Sequence, residues 1–220
     1  MQNISKEDYL STIFRNLNPE GKIKPGLIAG KLSISSAAVT DMLRKLSAEG
    51  YIIYERYKGI ALTSEGENYA RNMVRRHRIW EVFLNKVVGM PWDKVHEEAN
   101  RLEHSSSDDL INRLEVMLDF PEYDPHGDPI PSRDGKMPKI KRQKPLSELE
   151  EGESGRVIRV NDSDENFLGY ISKLGIMLKE NIVIKKKIMF DESLEVSIKG
   201  KSWNISSKLA QNIFVEVKRD

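Results

Sequence analysis

The spacing of apolar residues changes once along this chain, and that change limits what it can fold into. Up to about residue 118 the apolar positions recur every three or four residues, as in Leu10, Ile13, Phe14 and Leu17, or Leu110, Ile111, Leu114 and Met117. That is the period of helices with one buried face. From about residue 155 the chain breaks into short runs, GRVIRV, FLGYIS, ENIVIKKKIMF, SLEVSIKG, KSWNIS and NIFVEVK, all read as strands. Strands this short, separated by glycine turns, suit a small antiparallel barrel. Between the two parts lies SRDGKMPKIKRQKPL, residues 132–146, with the polar, basic, proline-containing composition of a linker.

The front reads as three short helices and a hairpin. Ser5 and Asp8 form a capping pair for the first helix, and Asn18-Pro19-Glu20-Gly21 stops it. The second helix runs near Pro25 to Leu32 with Leu27, Ile28 and Leu32 inward, and a third follows the turn at Ser33 to Ser36 and ends at Gly50. Two helices joined by a tight turn have the shape of a helix-turn-helix. The third helix opens with Ser35, Ser36, Ala37, Ala38, Thr40 and Asp41, small and hydroxyl-bearing residues that allow close approach to base edges. Arg44 and Lys45 follow where they could meet phosphates. The run YIIYERYKGIALT then turns back at Tyr57-Lys58-Gly59, placing Arg56 and Lys58 at the tip of a wing. Such a unit can also dock proteins. Charge favours DNA: residues 1–90 carry 14 Lys and Arg against 9 Asp and Glu, whereas residues 91–135 carry 4 against 12.

A capping box, Ser64 with Glu67, is expected to open a long helix reaching Gly89. Pro91 should start another, and Ser105 to Asp108 a third, stopped by Phe120-Pro121. Three of the chain's four histidines fall between Arg75 and His104. His77 and Glu81 stand one turn apart. His96, Asn100, Glu103 and His104 share a second helical face. Imidazoles and carboxylates converging this way suit a divalent first-row metal. A plain solvated face would show the same spacing. The chain has no cysteine, so thiolate ligation and disulfides are excluded. The apolar surface of these helices exceeds what one small layer can bury, which points to a homodimer. No apolar run approaches the length of a membrane span and the first residues lack a signal-peptide core, so a cytoplasmic protein is expected.

KEDYL near the start, GYIIYERYKGIALTSEG, RRHRIWEVFL, VHEEANRLEH and DPHGDPIP together resemble the diphtheria-toxin-repressor family of metal-dependent transcriptional repressors. The resemblance spans essentially the whole chain. It implies a winged helix-turn-helix over 1–72, a helical metal-binding and dimerisation domain over 73–131, the linker, and an SH3-like β-barrel over 147–220. It implies two metal sites per subunit for Mn²⁺ or Fe²⁺. One would use Asp8, Glu103 and His104, with Asn100 where relatives carry cysteine or glutamate. The other would use His77, Glu81 and His96, completed from the third domain by Asp162 and, three positions on, Glu165. Ser11 stands where one manganese-responsive branch has a glutamate. His126, within DPHGDPIP, is read as a turn residue. The function implied is a repressor of metal-homeostasis genes that grips a palindromic double-stranded operator as a dimer when metal is bound. Two other readings stay open: a metal-dependent hydrolase using the His/Glu cluster, although neither HExxH nor GxSxG occurs, and a winged-helix regulator of a small organic ligand.

Overall fold

In the computed structural model the chain is described over residues 5–55, 59–139, 142–162 and 164–217. Arg56 and Lys58, expected at the wing tip, lie outside the described residues. The front contains α1 (Lys6–Arg15), α2 (Pro25–Leu32), α3 (Ser36–Ala48), β1 (Ile52–Glu55) and β2 (Gly59–Leu62). β1 and β2 pair antiparallel, with Ile52 opposite Leu62. Leu10, Ile13, Ile28, Leu43, Leu46 and Ile60 are buried together between the three helices and the hairpin. Side chains of this size each contribute about 1.5–3 kcal/mol when removed from water. Leu27, expected inward, is 47% exposed. On α2 Ile28 is buried in the core and Leu32, half-buried, packs against it, as expected.

The α1 cap forms as its sequence predicts. The Ser5 hydroxyl accepts from the Asp8 amide, and the Asp8 carboxylate accepts from the Ser5 amide. At the next long helix the cap is displaced by one residue. α4 (Ser64–Lys86) is capped by Thr63, not Ser64, its hydroxyl accepting from the Gly66 amide at 3.1 Å and donating to the Gly50 carbonyl at 2.7 Å. Gly66 is obligatory, since a Cβ there would lie 1.9 Å from the Tyr51 carbonyl oxygen. Thr63→Ala should therefore cost about 1 kcal/mol and Ser64→Ala almost nothing. Urea melts of the two variants check this, and equal losses would return the cap to Ser64.

α4 carries the chain from the winged helix into α5 (Val95–Glu103) and α6 (Asp108–Met117). α5 begins four residues after Pro91, because residues 92–94 form turns instead of helix. α6 ends before Phe120-Pro121, and Asp119 and Phe120 follow it with left-handed backbones (φ 58° and 50°). Ile79, Val82, Ile111 and Leu114 close one small core here, and Leu84, Val95 and Ala99 another.

The back is a six-stranded antiparallel sheet in the order β3-β8-β4-β5-β6-β7. Its strands are β3 (Lys144–Pro145), β4 (Ser154–Val160), β5 (Asn181–Ile188), β6 (Ser193–Ile198), β7 (Lys201–Ile205) and β8 (Ile213–Val217). Lys144 and Pro145 pair with β8 and Leu146 is buried, so the last residues of the expected linker belong to the sheet. The run FLGYIS, expected as a strand, lies in helix α7 (Glu165–Lys173). Asp164 caps it by accepting from the Asn166 and Phe167 amides, and Leu168 and Ile171 give it a buried helical face. A short helix, α8 (Ser207–Gln211), packs under the sheet.

This sheet domain is fastened to the helices near DPHGDPIP. Asp124 Oδ1 accepts from the His126 and Asp128 amides, both at 2.9 Å, which folds the turn. The His126 carbonyl then accepts from the Val160 amide at 2.9 Å. Gly127 (φ 92°) makes the close approach possible, because a Cβ would meet the Ile158 carbonyl at 2.1 Å. Trp92, from the turn before α5, enters the sheet domain's core and donates to Ser172 Oγ at 2.7 Å.

Candidate metal centres

The first centre lies where α1 meets the end of α5. Asp8, Glu103 and His104 offer ligand atoms within 4.8 Å of one another. His104 Nε2 is 3.2 Å from Asp8 Oδ1 and 3.5 Å from Glu103 Oε1. Asp8 divides its labour: Oδ2 closes the helix cap while Oδ1 faces the histidine. Glu7, which the sequence did not single out, hydrogen-bonds His104 Nδ1 at 2.6 Å and accepts from the Tyr69 hydroxyl at 2.8 Å. A carboxylate on the far ring nitrogen fixes the tautomer that leaves Nε2 facing the centre. Burial works against a charge on Glu7, but the His104 and Tyr69 hydrogen bonds hold its carboxyl below the usual range. The same burial and Glu7's hydrogen bond push the Tyr69 phenol up to about 12. Asn100 sits one turn before Glu103 on α5, exposed, and its side chain joins no hydrogen bond among the described residues.

The second centre joins α4, α5 and the sheet domain. His77, Glu81, His96 and Asp162 converge within 4.8 Å. Glu81 Oε1 is 3.0 Å from His77 Nε2 and 3.1 Å from His96 Nδ1, and His96 Nδ1 is 3.5 Å from Asp162 Oδ2. Glu165, expected beside Asp162, pairs with Lys94 instead and stays out of the cluster. Glu81 also belongs to a third group, with Asp124 and His126. His126 Nε2 hydrogen-bonds the Trp92 carbonyl at 2.8 Å, so it is the donor and Nδ1 is turned toward Glu81, 3.8 Å away. His126 lies in the turn, as read from the sequence, with Asp124 folding it, and its ring also adds a nitrogen to the cluster. Burial, then the charges of Glu81 and Asp128, push the Asp124 carboxyl well above the usual range.

The two centres touch through one residue. Glu103 Oε2 hydrogen-bonds His77 Nδ1 at 2.6 Å, while its Oε1 faces His104. His77 and Glu81 are fully buried. Glu81's burial opposes ionisation, but the charge of His77 and hydrogen bonds from His77 and His96 outweigh it, holding the carboxyl well below the usual range.

A cation fits both places. Glu81 Oε2 and His126 Nδ1 are buried without a hydrogen-bond partner among the described residues. A buried acceptor lacking a donor is costly, and a metal ion is one group that would satisfy it. The donors are imidazole nitrogen and carboxylate oxygen throughout, with no sulfur.

Protons compete for the same atoms. Burial lowers the His96 and His104 values, but facing carboxylates more than offset it: Asp162 and Glu81 push His96 up to about 10, and Glu7, Glu103 and Asp8 raise His104. These ion pairs support the metal-free fold below the ordinary histidine value of 6.5 and stop doing so as pH rises through the folded value. Metal binding needs the neutral rings and must displace those protons. Apparent metal affinity should therefore climb about tenfold per pH unit for each proton released from neutral pH upward. Manganese titrations from about pH 6 to about pH 8 test this; an affinity flat across that range would contradict it.

The reading helix is presented openly. Ser35 caps α3 by accepting from Ala38, and Ser36, Ala37, Ala38, Asp41, Arg44 and Lys45 are exposed. Thr40 is half-buried, its hydroxyl donating to the Ser36 carbonyl. Arg44 and Asp41 form a loose pair at 3.5 Å.

A winged helix-turn-helix, tied to histidine–carboxylate clusters by its own first helix and by α4, defines a metal-regulated DNA-binding protein. Comparison with known proteins bears on this directly. Residues 3–60 match the N-terminal DNA-binding domain of iron-dependent repressors, residues 63–132 their metal-binding and dimerisation domain, and residues 144–217 the FeoA domain. The chain is 32% identical over 120 residues to the HTH-type transcriptional regulator MntR of Bacillus subtilis (strain 168), covering 54% of this chain and 84% of that protein. The fold superposes on a manganese-dependent transcriptional repressor in complex with manganese, with a TM-score of 0.90, 33% identity and coverage of 97% and 100% of the two chains. ScaR with bound Cd²⁺ gives a TM-score of 0.83 at 33% identity, covering 97% of this chain and 99% of that one. The chain belongs to the iron-dependent repressor family, which includes the diphtheria toxin repressor; it is a metal-dependent, DNA-binding transcriptional repressor with a C-terminal SH3-like domain.

Proposed function

We propose that this protein is a manganese-responsive repressor of metal-homeostasis genes, acting in the cytoplasm as a homodimer on a palindromic operator. The single observation that carries the reading is Asp8. It stands in the first turn of the DNA-binding domain, yet points its Oδ1 at His104 of the helical domain, 3.2 Å away. A bound metal supplies positive charge between carboxylates that otherwise repel. Asp8, Glu103 and His104 would hold it, with Asn100 offering an amide or backbone oxygen. His77, Glu81, His96 and Asp162 would hold a second, with His126 and Asp124 beside it. Oxygen and nitrogen donors without sulfur favour manganese over softer ions, although iron fits the same set. Fixing α1 against α5 fixes the angle of α3 relative to the helical domain. Val116, Met117 and Phe120 lie more than 60% exposed at the end of α6, an apolar face suited to a second copy. Two α3 helices would then meet successive major grooves.

The test is operator binding by fluorescence anisotropy, on duplex from the chain's own upstream DNA, with Mn²⁺, Fe²⁺, Zn²⁺ or chelator. Manganese should tighten binding by about 5- to 150-fold, the usual span of allosteric coupling. Equal affinity with manganese and with chelator would end this reading.

A further inference from the structure

The winged helix, the helical domain and the sheet domain leave between them a cleft of about 710 Å³; His96 and Asp162 of the second centre form part of its wall, and the rest of its lining takes no part in the metal chemistry. Its acids are already balanced. Asp128 faces Arg78 and Arg159, each at 3.7 Å, and Asp162 faces His96 at 3.5 Å. Four further cations line it: Arg15 at the end of α1, Lys31 on α2, Arg156 on β4 and Lys179 after α7. None of these four has a carboxylate within ion-pair distance among the described residues, although the charge of Arg15 also reaches Asp128 and Asp162 from farther off. No glutamate lines the cleft, and Phe14, Met137 and Leu178 give it apolar wall.

On a convex surface, unpaired lysines and arginines are simply hydrated. Here they come from four separate segments in two domains and gather at one concavity. Concave walls of low dielectric focus the field of such a surplus and draw anions into it. Arginine and lysine ends supply donors matched to phosphate oxygens. A pocket of this size, with apolar wall and a few converging charges, suits a small molecule better than a bare ion.

We propose that this interdomain cleft is a binding site for a phosphorylated small molecule, its phosphate held by Arg15, Lys31, Arg156 and Lys179 and its organic part by Phe14, Met137 and Leu178. Such a ligand grips α1 at Arg15, the opposite end of the helix that carries Asp8. That consequence rests on the metal reading above; the binding itself does not.

The experiment is isothermal titration of the metal-free full-length protein with inorganic phosphate, AMP and ATP. The Arg15→Gln/Arg156→Gln double variant and a Lys208→Gln control are titrated in parallel, with thermal melts to confirm that each is folded. AMP or ATP should bind the unaltered protein more tightly than inorganic phosphate. The double variant should lose about tenfold for each cation removed, and Lys208→Gln should lose nothing. No binding of any of the three would overturn the proposal, as would equal binding by the double variant. If none binds and the double variant instead loses affinity for duplex DNA, Arg15 and Arg156 are DNA contacts and the proposal fails. Because metal is absent throughout, a failure of manganese activation leaves these results interpretable.

Discussion

Glu103→Gln is expected to weaken manganese at both centres and to lower metal-stimulated operator affinity by about a hundredfold. The two oxygens of this one carboxylate serve different centres. Oε1 is 3.5 Å from His104 Nε2, among the atoms of the first centre. Oε2 hydrogen-bonds His77 Nδ1 at 2.6 Å, which orients His77 so that its Nε2 meets Glu81 and His96 in the second. Glutamine keeps the volume of this 4% exposed side chain, so the packing survives. It lacks the negative charge, which removes a ligand from one centre and a charge-assisted hydrogen bond from the other. Outer partners of this kind are worth about 10- to 100-fold in metal affinity by themselves. Asp8→Asn is the control, since Asp8 touches only the first centre. Calorimetric titration with manganese should show both binding steps weakened in Glu103→Gln and one in Asp8→Asn. A Glu103→Gln protein with one centre intact would show that the two sites are independent.

The sequence made the front of this molecule legible because its signals are local. Ser5 with Asp8, Pro25 at a helix start and Gly50 at a helix end each act within a few residues. The spacing of His77 with Glu81 also survives folding, since one turn of helix sets it, and Glu103 and His104 are adjacent in the chain. Physical reach across domains is different. Glu7 is Asp8's immediate neighbour in sequence, yet its role depends on His104, 97 residues away. Asp162 meets His96 only because the DPHGDP turn docks β4 against the helices through Gly127. The run FLGYIS misleads for a reason internal to it: six mostly apolar residues carry too little periodicity to separate strand from helix. The deciding groups lie outside it, in the Asp164 cap before and in Leu174, buried after. The family resemblance implies Glu165 as a ligand beside Asp162, but the step between them crosses the helix start, and the Glu165 side chain turns toward Lys94.

Glu81→Ala should abolish the second centre while leaving the first occupied. Glu81 is fully buried, and its Oε1 is the atom on which three imidazoles converge: His77 at 3.0 Å, His96 at 3.1 Å and His126 at 3.8 Å. Its carboxyl is held well below the usual range by His77 and His96, against its own burial. A lowered carboxylate stabilises the fold above its ordinary value of 4.5 and ceases to do so as pH falls through the lowered one. Without it, buried rings lose their anion, and breaking a buried charge pair typically costs about 3–5 kcal/mol. Since the His96 value of about 10 owes part of its rise to Glu81, that ring should titrate nearer neutrality in the variant. Two measurements follow. Manganese stoichiometry per chain, read by electron paramagnetic resonance of free ion, should fall from two to one. The metal-free melting temperature should drop, and manganese should recover less of it than in the unaltered chain, because one binding site no longer contributes. A variant that still binds two ions would place the second ion away from Glu81, and the convergence of the three histidines would then be a feature of packing alone.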